Sequence, residues 1–139
     1  MNYLLDTNVI SELVRAKPNA TVLNWFATLP NEALYISVLT IGEIRFGVEK
    51  IANSKRKEKL RIWLEHDLTC FFANRILPID QLVTDKWGKL CFQMQRPIPA
   101  IDSLLAATAI VNDLSFVTRN TRGFQFPGLE IINPWQKSL

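Results

Sequence analysis

The sequence predicts an α/β domain, a three-layer α/β/α sandwich around a mainly parallel sheet. Short apolar runs alternate with segments of helical periodicity along the chain, and Pro, Asn, Asp or Ser residues stand at the junctions. Acidic residues also recur where strands hand over to helices, the edge on which folds of this class bind ligands.

The elements follow in order. Tyr3-Leu4-Leu5 is a short strand ending at Asp6, and Asp6-Thr7-Asn8 supply capping side chains for a helix read from Val9 to Ala16. After Pro18-Asn19, the residues Val22, Trp25, Phe26 and Leu29 keep helical spacing until Pro30. Ala33 to Ile36 reads as a strand, and Ser37 as the N-cap of a helix carrying Leu39, Ile41, Ile44, Phe46, Val48 and Ile51, with Glu43 in its second turn. The charged run Lys55-Arg56-Lys57-Glu58-Lys59 opens a longer amphipathic helix with the stripe Leu60, Trp63, Leu64, Leu68 and Phe71. Arg75 to Ile79 is the third strand. Asp80 caps a helix carrying Leu82, Val83, Trp87, Leu90 and Met94, which ends at Pro97 to Pro99. Ile101 to Asn112 is the next helix, with Asp102 in its first turn. Ser115 to Thr118 is a strand, Asn120 to Gly128 a loop, and Leu129 to Ile132 the last strand.

At 139 residues with 48% hydrophobic content, one domain over 1–139 is expected. No apolar run reaches the 18 residues of a membrane span, and the N-terminus lacks the pattern of a secretory signal, so a cytoplasmic protein without a membrane partner is expected. Cys70 and Cys91 lack CxxC spacing and read as buried free thiols. The net charge of +3 suits a polyanionic partner but does not single one out.

Asp6, Glu43 and Asp102 are expected to converge on one rim of the sheet. Two ionised carboxylates about 5 Å apart repel by roughly 3 kcal/mol at an effective dielectric of about 20, which a divalent cation removes. Oxygen-only ligation selects a hard ion, Mg²⁺ with Mn²⁺ as a substitute, able to activate water against a phosphodiester. Other schemes fail on residue counts. His66 is the single histidine, so a two-imidazole nuclease is excluded, and there is no GxSxG, GxxxxGK[ST] or GxGxxG segment. An aspartyl-phosphate phosphatase needs a second Asp where this chain has Asn8.

Leu4-Leu5-Asp6-Thr7-Asn8-Val9-Ile10-Ser11-Glu12 resembles the opening motif of PIN-domain ribonucleases, in particular VapC-like toxins of type II toxin-antitoxin modules and their FitB-like subgroup. Ser37 to Gly47, around Glu43, is similar to the second acidic motif, Ile101 to Ala109, around Asp102, to the third, and Phe116 to Phe124 to the fourth. Ile132-Asn133-Pro134-Trp135 resembles the end of many members. The resemblance implies sheet order 3-2-1-4-5, cleavage of RNA by metal-activated water, and a homodimer. It also implies assembly with a cognate, DNA-binding, VapB-like antitoxin. Asp6 and Asp102 would be the principal metal ligands, with Glu43 binding directly or through water and orienting the nucleophile. Asn8 would support Asp6, beside Thr7.

Members often carry a carboxylate at the position of Asn120, of Gly123, or of both, and here both are neutral. Asn120 therefore stands as the fourth site residue without adding charge, one well-held ion is expected rather than two, and Asn120→Asp is expected to tighten Mn²⁺ binding. The alternative is a catalytically weak RNA- or antitoxin-binding module acting in autoregulation. Arg119 and Arg122 flank Asn120 and are candidate RNA-phosphate contacts. The run from Lys55 reads first as a solvated helix face. Trp25, Trp63, Trp87 and Phe46 read as packing or antitoxin-groove residues.

Overall fold

The computed structural model describes residues 1–137; Ser138 and Leu139, the end of the domain expected over 1–139, lie outside the described residues. Five strands, β1 (Tyr3–Leu5), β2 (Leu34–Ser37), β3 (Ile76–Leu77), β4 (Ser115–Val117) and β5 (Ile131–Ile132), form one sheet in the order β3-β2-β1-β4-β5. Every pairing is parallel, with Leu4 beside Tyr35 on one flank and Phe116 on the other. Fold class and strand order match those expected.

The central strands are apolar on both sides because both faces are covered. Tyr3 and Leu5 enter a core with Ile10, Ile44, Val48, Leu64 and Phe72, whereas Leu4 and Phe116 enter a second core with Val83, Leu90 and Leu105. The first core is roofed by α1 (Thr7–Leu13), α2 (Ala20–Ala27), α3 (Val38–Glu49) and α4 (Lys55–Ile62), followed by a π-helical turn (Trp63–Leu68) and the short α5 (Thr69–Phe71). The second is roofed by α6 (Gln81–Met94) and α7 (Ala100–Val111). Ala106, Ala107 and Ala109 are fully buried on α7, and their small side chains let it lie close to the sheet and α6.

Several boundaries differ from expectation for local reasons. Helix α1 begins at Thr7 rather than Val9, because Asp6 Oδ1 accepts the Thr7 N–H at 2.8 Å and opens the helix at once. The edge strands shrink to two residues each: Pro78 follows β3 and has no N–H for a ladder, and Gly128, with φ +83°, turns the chain before β5. The loop after β4 contains a 3₁₀ turn, Thr121–Phe124.

The amphipathic helix is interrupted by its π turn, whose wider pitch shifts the apolar stripe. Phe72 is the buried aromatic, at 3% exposure, and Phe71 is turned out. The expectation of buried thiols is corrected as well, at Cys70 by the same shift. Cys70, between the inward-facing Leu68 and Phe72, is exposed, and Cys91 is only half-buried, although both are free. Phe46 is not a packing residue either: at 65% exposure it stands outside the core with the Lys50 ammonium 4.9 Å from its ring. Trp25, Trp63 and Trp87 do pack against the cores. Among the described residues no helix is long and apolar enough to cross a membrane.

Candidate active site

Parallel crossovers bring three chain segments to the carboxyl edge of the sheet. Asp6 leaves β1, and Thr118 leaves the neighbouring β4, where Leu5 pairs with Val117 and the Asp6 N–H donates to Val117 O at 2.9 Å. Ser37 ends β2, and its hydroxyl accepts the Leu39 N–H at 3.0 Å, so that α3 starts on the same edge and carries Glu43 in its second turn. Helix α7 runs back toward β4 and so begins on this edge, with Asp102 in its first turn.

Asp6, 8% exposed, lies in a cradle of donors. Its Oδ1 accepts the Thr7 N–H, and its Oδ2 accepts the Thr118 hydroxyl at 2.7 Å and Asn8 Nδ2 at 3.3 Å. The Thr118 hydroxyl also accepts from Asn8 Nδ2 at 3.3 Å and from the Asn120 N–H at 3.0 Å, which uses its one proton and both lone pairs. Asn8 Oδ1 accepts the Arg119 N–H at 3.3 Å. Thr7 points its hydroxyl the other way and donates to Glu43 Oε1 at 2.7 Å. Two adjacent residues thus tie the first acid to the strand end beside it and the second acid to the first.

Asp102 is half-buried and, among the described residues, makes no side-chain hydrogen bond. Pro99 gives α7 no side-chain cap, so the positive end of the helix is open beside Asp102. The adjoining Ser103 is anchored, its hydroxyl donating to Pro99 O and accepting the Trp87 indole N–H, both at 2.9 Å.

Burial raises the Asp6 carboxyl above its ordinary range; the Thr118 and Thr7 hydrogen bonds pull it back, and the charges of Glu43 and Asp102 push it up again. Asp102 is raised by burial and then by Glu43. The three acids therefore share one electrostatic site, and among the described residues none of them is in an ion pair. No three acidic, His or Cys side chains among the described residues stand close enough together to enclose an ion directly.

The residues fit a hydrated hard cation, one that takes one or two carboxylates and keeps several waters, better than an ion held in an all-protein cage. The donors are all oxygen, and Thr40, one helical turn before Glu43 on α3, has a fully buried hydroxyl with no partner among the described residues.

Asn120 sits on the rim but is exposed, and its Oδ1 accepts the Gly123 N–H at 3.3 Å, capping the 3₁₀ turn. Its link to Asp6 runs through its backbone N–H and Thr118. Arg119 lies over the Trp135 ring at 5.2 Å and lines a cleft of about 1110 Å³ together with Thr7, Asn8 and Glu43. Arg122 is exposed on the 3₁₀ turn and does not line that cleft. Thr118 is the residue that sequence reasoning missed. Its signal was a polar residue at the end of an apolar strand adjacent to the one ending in Asp6.

The PIN domain family model matches residues 3–127. The plasmid stability protein StbB of Pseudomonas syringae pv. tomato is 40% identical over 96% of this chain and 98% of its own. The VapC ribonuclease Y4jK of Sinorhizobium fredii is 38% identical over 96% and 97%, and the toxin FitB of Neisseria gonorrhoeae 38% over 95% and 97%. A solved structure of FitAB bound to an IR36 DNA fragment contains a chain with TM-score 0.89 to this one, 36% identical, covering 99% of this chain and 98% of that one. With three acids brought to the carboxyl edge of a five-stranded parallel sheet and a family match over nearly the whole chain, this protein belongs to the PIN-domain family.

Proposed function

We propose that the protein is a Mg²⁺-dependent endoribonuclease, with Mn²⁺ as a substitute ion, acting as the toxin of a toxin-antitoxin module. The observation that carries this reading is the group of three mutually repelling carboxylates that, among the described residues, pair with no protein cation, one of which, Glu43, lines a cleft that also receives Arg119. Relatives that are ribonucleases and toxins support it.

Asp6 and Asp102 would hold the ion, with Glu43 beside them. When bound, Mg²⁺ supplies positive charge against the phosphodiester and makes a coordinated water more acidic. The chain's own residues do the rest. Thr118, Thr7 and Asn8 fix both Asp6 oxygens, so the ligand does not reorganise when substrate arrives. Glu43 has Oε1 held by Thr7, which leaves Oε2 to take a proton from the attacking water. The open N-terminus of α7 favours negative charge at the same edge.

The partners follow from the same reading. An apolar groove of about 500 Å³, lined by Leu13, Phe26, Trp63, Leu68 and Phe71, would seat an apolar segment of a DNA-binding antitoxin. Leu82 and Phe92 on α6, 69% and 79% exposed, would meet a second copy in a homodimer.

Purified protein incubated with single-stranded RNA should cleave it with added Mg²⁺ and stop on chelation. Cleavage that continues in EDTA, or that survives Asp6→Ala, would overturn the reading.

A further inference from the structure

The helix α4 presents its cations in two different ways. On one face, Arg61 pairs with Glu58 and Glu65, and Lys57 Nζ donates to Glu49 O at 3.3 Å. These cations are used inside the molecule. On the other face, Lys55, Arg56 and Lys59 are exposed, make no ion pair among the described residues, and line the same cleft as Thr7, Glu43 and Arg119. Positions i, i+1 and i+4 share one side of a helix, so the division follows helical geometry.

Their placement runs against local stability. Lys55, Arg56 and Lys57 occupy the first turn of α4, after the Ser54 cap, where the helix macrodipole disfavours positive charge. Cations crowded at the positive end of a helix, unpaired and facing a concave wall, create a local field that an anion relieves. Glu43, one of the three carboxylates, lines the same cleft and, among the described residues, makes no ion pair with them. A polyanion whose reacting phosphate lies at the acids and whose neighbouring phosphates follow α4 satisfies both ends.

We propose that Lys55, Arg56 and Lys59 form a phosphate track that holds the single-stranded RNA flanking the scissile bond, setting where along the strand the protein binds productively. This rests on the ribonuclease reading. Lys55 and Lys59 lie about 6 Å apart along the helix axis, so the track serves two or three consecutive phosphates and reads backbone rather than base.

The test is the salt dependence of binding of a labelled, unstructured single-stranded RNA dodecamer to full-length protein, in an Asp102→Asn background that suppresses cleavage. Neutralising three phosphate contacts should flatten the slope of log K against log salt by about 2, at roughly 0.7 per contact on a single strand. Lys55→Gln/Arg56→Gln/Lys59→Gln should show this loss, whereas Lys57→Gln, on the other face, should keep the parent slope. The charge-conserving Lys55→Arg/Arg56→Lys/Lys59→Arg protein should also keep it, which separates lost charge from a damaged helix. RNA binding with an unchanged slope in the triple Gln variant overturns the track. So does a triple variant that loses affinity for an antitoxin protein while its RNA slope stands. Absence of both RNA binding and cleavage in the wild-type protein refutes the ribonuclease reading itself.

Discussion

Asp6 and Asp102 occupy the same rim and carry the same charge, yet one is held by three hydrogen bonds from Thr7, Asn8 and Thr118 and the other, among the described residues, by none. The difference follows from where each leaves the backbone. Asp6 emerges between two paired strands, where the neighbouring strand end delivers Thr118 to its side chain. Asp102 emerges on the first turn of a helix, where its own backbone offers only an open dipole. A buried carboxylate with its donors in place keeps its position without a cation; a half-buried one beside like charges depends on what binds. Asp6 is thus the built part of the site and Asp102 the responsive part.

The sharpest way to break this comparison is to replace each by its amide. Asp6→Asn faces its new NH₂ toward Asn8 Nδ2, so donor meets donor in a buried place. RNA cleavage should fall by about 10³-fold, and the metal-free protein should lose about 1–3 kcal/mol of stability. Asp102→Asn should also suppress cleavage, but with melting unchanged or raised, because it removes a half-buried charge and its repulsion from Glu43 and, among the described residues, no side-chain hydrogen bond. Equal melting shifts in the two variants, measured by calorimetry in EDTA, would remove the distinction between them.

Thr118→Val tests the cradle without touching a charge. It deletes the donor to Asp6 Oδ2 and leaves the Asn120 N–H without its acceptor. Outer supports of metal-binding side chains typically matter by about 10- to 100-fold, and Mg²⁺ affinity measured by titration calorimetry should fall within that range. An unchanged affinity would mean that Asp6 is positioned by Thr7 and Asn8 alone.

A smaller effect separates the two acids by pH. Asp102 has a folded-state pKa above its ordinary 3.8, so the folded protein binds the proton more readily than the unfolded chain. Its contribution to metal-free stability is therefore fully present below pH 3.8 and is lost as pH rises through the raised value. The wild-type protein should melt below Asp102→Asn at about pH 7, the gap should close on acidification, and Mg²⁺ at neutral pH should close it too. A gap independent of pH would mean that neither burial nor Glu43 raises the Asp102 carboxyl in the folded protein.

The contrast also explains what the sequence could disclose. The parallel sheet, the two-sided core and the positions of Asp6, Glu43 and Asp102 were legible because each rests on local pattern, an apolar run, a cap or a helix phase, whereas the strand order came only from the resemblance of the motifs. Thr118 was not, because its role comes from the register between β1 and β4, segments more than 100 residues apart. The rotation that buries Phe72 in place of Phe71 and exposes Cys70 was hidden for a related reason. A π turn adds a fraction of a residue to the helical period, and the residues of Trp63–Leu68 give no sign of it. The split of the α4 cations was half visible: helical spacing separates Lys55 and Lys59 from Arg61, but only packing shows which side faces the acids.

The smallest effect concerns the fourth position. A carboxylate in place of the Asn120 amide would add charge to the site, and on that ground alone Asn120→Asp should tighten Mn²⁺. In the folded protein, however, the side-chain oxygen at this position already accepts the Gly123 N–H. A charged oxygen accepts an N–H more strongly than an amide oxygen does, so the introduced carboxylate would be drawn into the cap as well as toward the ion. The gain in Mn²⁺ affinity should stay within about threefold, small against the per-ligand effects by which oxygen sites are ordinarily tuned. A carboxylate in place of Gly123 meets a different obstacle, since a Cβ there would come within 2.5 Å of Asn120 Nδ2 and force that cap to shift. Gly123→Asp in the Asn120→Ala background removes the clash, and should bind Mn²⁺ more tightly than Gly123→Asp alone. If the single variant binds as well as the double, the Asn120 cap yields freely and does not hold the fourth position neutral.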